Sequence, residues 1–179
     1  MNNSTGDDRF TQSYTTPEQD TLPGDLAPIC RYWNSLCNDR AMPTWAEWDW
    51  SQLSPNIKSW SAVVDVIPLP LDFTYSFSGE GRNQLLGNDY TGQSVLDITP
   101  AVISNKILKE YATVVERRAP LLISTFGFGQ SQNKAYNLLR LPFGNGEQVE
   151  QILSTCSQEN ADLSAIYALF GTHNVGHTE

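Results

Sequence analysis

Few side chains in this chain have the types and spacing that carry chemistry. Both histidines, His173 and His177, fall in a polar run near the C-terminus, which removes a histidine general base from the core. Cys30, Cys37 and Cys156 are odd in number and far from metal-ligand spacing; Cys30 and Cys37 fall two helical turns apart, as small buried apolar residues do. They suit a reducing compartment and argue against a structural zinc site. Asp65 and Asp72 border an expected hairpin, and Asp89 and Asp97 an expected helical connector. Nothing forces any two of them together as a catalytic carboxylate pair, and turn or capping roles account for them. GEGRNQ, residues 79–84, has glycines but neither the lysine nor the long following helix of a phosphate loop. Serine, cysteine and lysine nucleophile arrangements are equally unsupported. The residues thus assign no catalytic group and no metal. Arg82 and Arg140 are the fixed charges that would suit an anionic ligand, with a solvated surface as the alternative.

The elements that must position these groups centre on residues 61–92. Two apolar runs, Ala62–Ile67 and Phe73–Phe77, join across PLPLD as a hairpin. Phe73, Tyr75 and Phe77 alternate with Thr74, Ser76 and Ser78, predicting a strand whose aromatic face lies under helices. The glycines at 79, 81, 87 and 92 suit one-turn helices, and Val95, Leu96 and Ile98 are expected to pack inward. Thr99 and Pro100 open a long helix, Ala101–Arg117, with its stripe at Ile103, Ile107, Tyr111 and Val114. Three strands follow, Leu121–Phe128, Lys134–Leu141 and Glu147–Cys156, the last pair joined through Gly144, Asn145 and Gly146.

Upstream, Leu26, Ile29, Trp33 and Leu36 trace a helix from Asp25, its expected N-cap, to Asn38. Trp45, Trp48 and Trp50 form either an aromatic recognition surface or, as the favoured reading, a plug on the open end of the core. Ser54–Lys58 is a short helix. Near the C-terminus Leu163, Ile166, Tyr167 and Phe170 place an apolar stripe on a helix at Ala161–Phe170, ended by Gly171. Such a helix folds back on the domain or pairs with another copy.

The succession of a DFxY strand, Gly79, a short helix, GNDYTG, and a strand pair containing LRLPFGNG and VEQIL resembles the PAS superfamily. More narrowly it is similar to a bacterial, often stand-alone PAS-like family that carries YW near its start, here Tyr32 and Trp33, and a strand ending in LP. The resemblance spans about Ile29 to Ser157. Pro43 and Asp49 agree with that family, while Trp45 and Trp50 stand where it often has Arg and Pro.

The resemblance implies an α+β fold: a five-stranded antiparallel sheet in the order 2-1-5-4-3, covered on one face by helices, with further helices at both ends. It also implies a cavity, around which alternation places Phe77, Leu85, Leu96, Tyr111, Phe126, Leu139 and Ile152, with Tyr75 and Tyr136 as polar contacts and Arg82 and Arg140 near the mouth. A solid core is the alternative. Haem ligation by a histidine on the long helix is ruled out, since 101–117 contains none. GRNQLLG keeps Gly81, Arg82 and Asn83 of the flavin-adduct motif GRNCRFLQ but has Gln84 for its cysteine, which rules out that photochemistry and leaves flavin binding without it open. No cofactor is assigned.

The expected function is a sensory or regulatory module that binds a small ligand or a protein partner. It would signal in trans, to another protein or within a homodimer, through helix-mediated contacts. A small enzyme using the same cavity, or an adaptor with a filled core, are the alternatives, and a polar constellation inside the cavity would favour the enzyme. Eleven basic against twenty acidic residues in 179 give a net charge of -9, which opposes nucleic acid and anionic membranes as partners. No apolar run reaches the length of a membrane span and the N-terminus lacks a secretory pattern, so a cytoplasmic location is expected. The expected divisions are a flexible tail at 1–21, a helical extension at 22–59, the core at 60–157, a helix at 158–171 and a tail at 172–179.

Overall fold

The computed structural model describes residues 10–18, 21–127 and 135–157. In chain order these form β1 (Phe10–Thr15), α1 (Ala27–Cys37), single 3-10 turns at Trp45–Glu47 and Trp50–Gln52, and α2 (Pro55–Ser59). Then come β2 (Ser61–Pro68), β3 (Leu71–Ser78), α3 (Glu80–Leu86), a 3-10 turn at Val95–Asp97, α4 (Ala101–Arg117), β4 (Leu121–Gly127), β5 (Ala135–Gly144) and β6 (Val149–Cys156). The expected helix at 161–170, the tail after it and the turn at 131–133 lie outside the described residues.

All the strands join in one antiparallel sheet of six, ordered β1-β4-β5-β6-β2-β3. The expectation of five strands is corrected by β1, which comes from the stretch expected to be a flexible tail. It runs beside β4 from Phe10↔Gly127 to Thr15↔Leu122. FTQSYT is too polar to read as a strand alone, but pairing satisfies the open backbone groups along the β4 edge, a gain no local pattern records.

Helical segments lie on both faces of the sheet, correcting the single covered face. Because strand side chains alternate, Arg140 and Ser154, which bond to α4, point one way, and Leu139, Leu141, Phe143 and Leu153 point the other. All four of these are fully buried. Over them lie α1, whose Trp33 Nε1 donates to the Pro142 carbonyl at 2.8 Å, and the tryptophan turns, with Trp45 and Trp48 edge-on to Phe143 at 5.0 and 5.3 Å. The tryptophans are thus packed over core, as the plug reading expects. The residue capping α1 is Leu26, not Asp25, whose carboxylate instead accepts from the Ser157 hydroxyl at 2.6 Å.

A β-bulge corrects the aromatic stripe of β3. The register pairs Val64 with Tyr75 but Val63 with Phe77, so Ser76 is an extra residue. Past it the alternation inverts. Phe73 and Tyr75 stay on the α4 side, where Phe73 packs on Tyr111 at 5.1 Å, while Phe77 turns to the opposite face. There it meets Trp50 at 5.8 Å, with the Lys58 ammonium 5.5 Å from its ring centre.

Candidate functional site: buried charge beneath α4

Helix α4 forms where the sequence places it, and the stripe it turns to the sheet includes Ile103, Ile107, Glu110, Tyr111 and Val114, all buried. Opposite stand Arg140 from β5 and Ser154 from β6. One terminal nitrogen of Arg140 donates to Glu110 Oε2 and the other to Ser154 Oγ at 2.8 Å. Ser154 Oγ in turn donates to the Tyr111 hydroxyl at 3.1 Å. The guanidinium carbon lies 3.9 Å from the centre of the Tyr111 ring, a stacked cation-π contact. Lys106, one helical turn before Glu110, donates to Oε1 at 2.7 Å. Burial works against the Glu110 carboxylate, but Lys106 and then Arg140 outweigh it and hold its pKa below the ordinary value.

The second centre is Arg82 of α3, 2 % exposed. Its NH1 donates to Cys156 Sγ at 3.2 Å, and the Tyr136 hydroxyl contacts the same sulfur at 2.7 Å. Among the described residues Arg82 meets no carboxylate. Its Nε, the Nε of Arg140 and the Tyr75 hydroxyl are buried without a hydrogen-bond partner. Burial, with the nearby Tyr111, pushes the Tyr75 hydroxyl pKa up; burial, with Cys156, does the same for Tyr136. Tyr14 of β1 reaches the rim, where burial and then Glu110 push it up to about 12. These phenols stay neutral and keep their protons to donate. Two buried guanidiniums, one carboxylate and several neutral donors make an interior with more positive charge and donors than it satisfies.

Of the predicted cavity residues, Tyr75, Tyr111, Tyr136 and Ile152 come together beneath α4. Phe77 and Leu139 lie on the opposite face, Phe77 through the bulge and Leu139 because its neighbour Arg140 points to α4. Leu96, 50 % exposed, and Phe126, 39 % exposed, do not lie beneath α4: Leu96 sits on an exposed turn, and Phe126, near the end of β4, is on the side of Leu122 and Leu139, away from α4. Leu85 lies in α3, and its side chain is outside the described part of the structure. Arg82 and Arg140, expected near a mouth, are instead fully interior. Sequence reasoning missed Glu110, Ser154 and Cys156. Glu110 falls three residues after Ile107 and four before Val114, so helical spacing already placed it inside the stripe. Arg140 likewise interrupts the apolar run LLRLP.

An open cleft lies elsewhere, between α1 and the segment leading into α2. Its volume is about 400 Å³; Leu26 and Ile29 line one side, Leu53 and Ile57 the other, and Cys156 also borders it. Cys156 therefore touches both the cleft and the Arg82 cluster. Among the described residues no group of three His, Cys, Asp or Glu could hold a metal, and no helix is long and apolar enough to cross a membrane. No family model, curated protein or solved structure matches this chain.

Proposed function

We propose that this domain is a PAS-like sensory or regulatory module that holds a small organic carboxylate beneath α4 and signals in trans through helix-mediated contacts. Support for the PAS-like part comes from β2 to β6, which succeed one another as β3-β2-β6-β5-β4, with α3, a 3-10 turn and α4 between β3 and β4. That is the order 2-1-5-4-3 when β2 is counted as the first strand.

The observation that carries the ligand is Arg82. Among the described residues it meets no carboxylate, and leaving a buried charge without its partner costs about 3–5 kcal/mol. A carboxylate is the matching anion, because its two oxygens accept from the guanidinium fork while the Tyr75 hydroxyl donates to a remaining lone pair. The polar constellation also speaks for a small enzyme. Against that reading, Glu110 is held ionised by two cations, which makes it a poor proton acceptor, and the phenols are poor acids with raised pKa values.

The test is native mass spectrometry of the purified protein followed by calorimetric titration with acetate, succinate and inorganic phosphate. Retention or 1:1 binding of a carboxylate, lost in Arg82→Met, is the expected result. Replacing a lone buried charge by an apolar residue of similar length is expected to leave the ligand-free fold as stable or more so. Failure of both carboxylates to bind, with no retained anion, overturns the proposal; so does an Arg82→Met protein destabilised without ligand, which would show the charge already compensated within the fold.

A further inference from the structure

Of the three free cysteines, Cys156 is the one whose sulfur accepts from a guanidinium. Arg82 NH1 lies 3.2 Å from it and the Tyr136 hydroxyl 2.7 Å. Arg82 is 2 % exposed, meets no carboxylate among the described residues and keeps its Nε without a partner. A buried cation is thus aimed at this sulfur with a donor to spare. The residue itself is 4 % exposed and lines the open cleft between α1 and α2, which brings solvent to its edge.

The other two sulfurs have neutral partners. Cys30 Sγ accepts from the Asn34 side-chain amide at 3.8 Å, and Cys37 Sγ donates to the Trp33 carbonyl at 3.5 Å. Burial pushes the pKa of both thiols up. Cys37 is nonetheless the most exposed of the three, so exposure and charge single out different cysteines.

A thiol reacts with peroxides as its anion, and a neighbouring cation stabilises negative charge on the sulfur. We infer that Cys156 is a modification site for hydrogen peroxide, oxidised to a sulfenic acid that Arg82 and Tyr136 hold. The thiol gives its proton to water, and its sulfur attacks one oxygen of the peroxide. As the S–O bond forms the O–O bond breaks, and the departing hydroxide takes up the proton and leaves as water. Sulfur loses two electrons and the peroxide gains them. The new oxygen accepts from the Arg82 guanidinium and the Tyr136 hydroxyl, groups already placed around the sulfur. It thereby takes up donors that the reduced protein leaves for a carboxylate; that consequence alone rests on the proposed function, and the oxidation itself does not.

Timed exposure of the full-length protein to hydrogen peroxide tests this, with a dione that traps sulfenic acids and peptide mass spectrometry to read each cysteine. Cys156 is expected to be trapped at least about tenfold faster than Cys37. In Arg82→Met that lead is expected to vanish, and in Arg82→Lys, which keeps the charge, to survive in part. Cys37 reacting as fast as Cys156 in the parent overturns the inference, and so does an Arg82→Met protein that is folded by circular dichroism and keeps the lead. The comparison within the parent needs no substitution and decides even where a variant does not fold. No carboxylate is present, so failure here leaves the proposed ligand standing, and failure of the calorimetric titration leaves this inference standing.

Discussion

The two faces of one sheet are built on opposite principles. Beneath α1 and the tryptophan turns, Leu139, Leu141, Phe143 and Leu153 meet rings and aliphatic groups, and stability there comes from area removed from water and from shape. Beneath α4, on the same strands one residue away, lie Arg140 and Ser154, which meet Glu110 of α4, with Arg82 of α3 buried on the same side; burying such charges is costly unless they are partnered. Both faces bury apolar side chains, Ile107, Val114 and Phe73 among them beneath α4, but among the described residues only the second buries charge as well. Among those residues that second face holds two buried guanidiniums against one buried carboxylate.

The difference can be broken or sharpened by substitution. The largest effect expected is from Arg140→Met, which leaves Glu110 buried with only Lys106 beside it and costs about 3–5 kcal/mol in denaturant unfolding. Adding Glu110→Leu should recover most of that loss, because the carboxylate stranded by the loss of Arg140 is then gone; a double variant as unstable as the single one would show that shape rather than charge rules this pair. On the other face Phe143→Ala is expected to cost about 3–5 kcal/mol through lost contact and cavity, and no second truncation should restore it.

Acid separates the faces further. The Glu110 pKa is lowered in the fold, so its contribution is fully present above the unfolded carboxylate value and is lost as pH falls through the lowered one. Unfolding free energy measured from pH 6 downward should therefore fall more steeply in the parent than in Glu110→Gln. The smallest effect is expected at Glu47, beside the tryptophans, whose pKa is lowered to about 2 by the Arg40 hydrogen bond and then by Thr44. The shift has the same sign as that of Glu110, but the group stands in solvent, which screens it. Glu47→Gln should leave acid unfolding close to that of the parent, with any difference vanishing in high salt.

Local pattern made much of this molecule legible. Helix α4 was placed to the residue, because a 3.6-residue stripe between a proline start and a proline stop leaves little choice. The hairpin of β2 and β3 followed from two apolar runs around paired prolines, and α2 from Ser54 followed by Pro55. The site was half legible. Tyr75, Tyr111, Tyr136 and Ile152 were found by alternation and helical spacing, while Phe77 was lost to one extra residue, Ser76, whose bulge depends on how β2 and β3 pair.

What the chain determined alone is therefore periodic: which runs are strands, where α4 starts and stops, and which residues have the chemistry to meet an anion. Pairing decided the rest. β1 exists as a strand because β4 offers it an edge, and Arg140 becomes an interior charge because β5 is buried on both faces while α4 brings Glu110 to it. The physical reason is that periodicity is set by bonds a few residues apart, whereas burial and charge compensation depend on partners far along the chain, as Glu110 and Arg140 are.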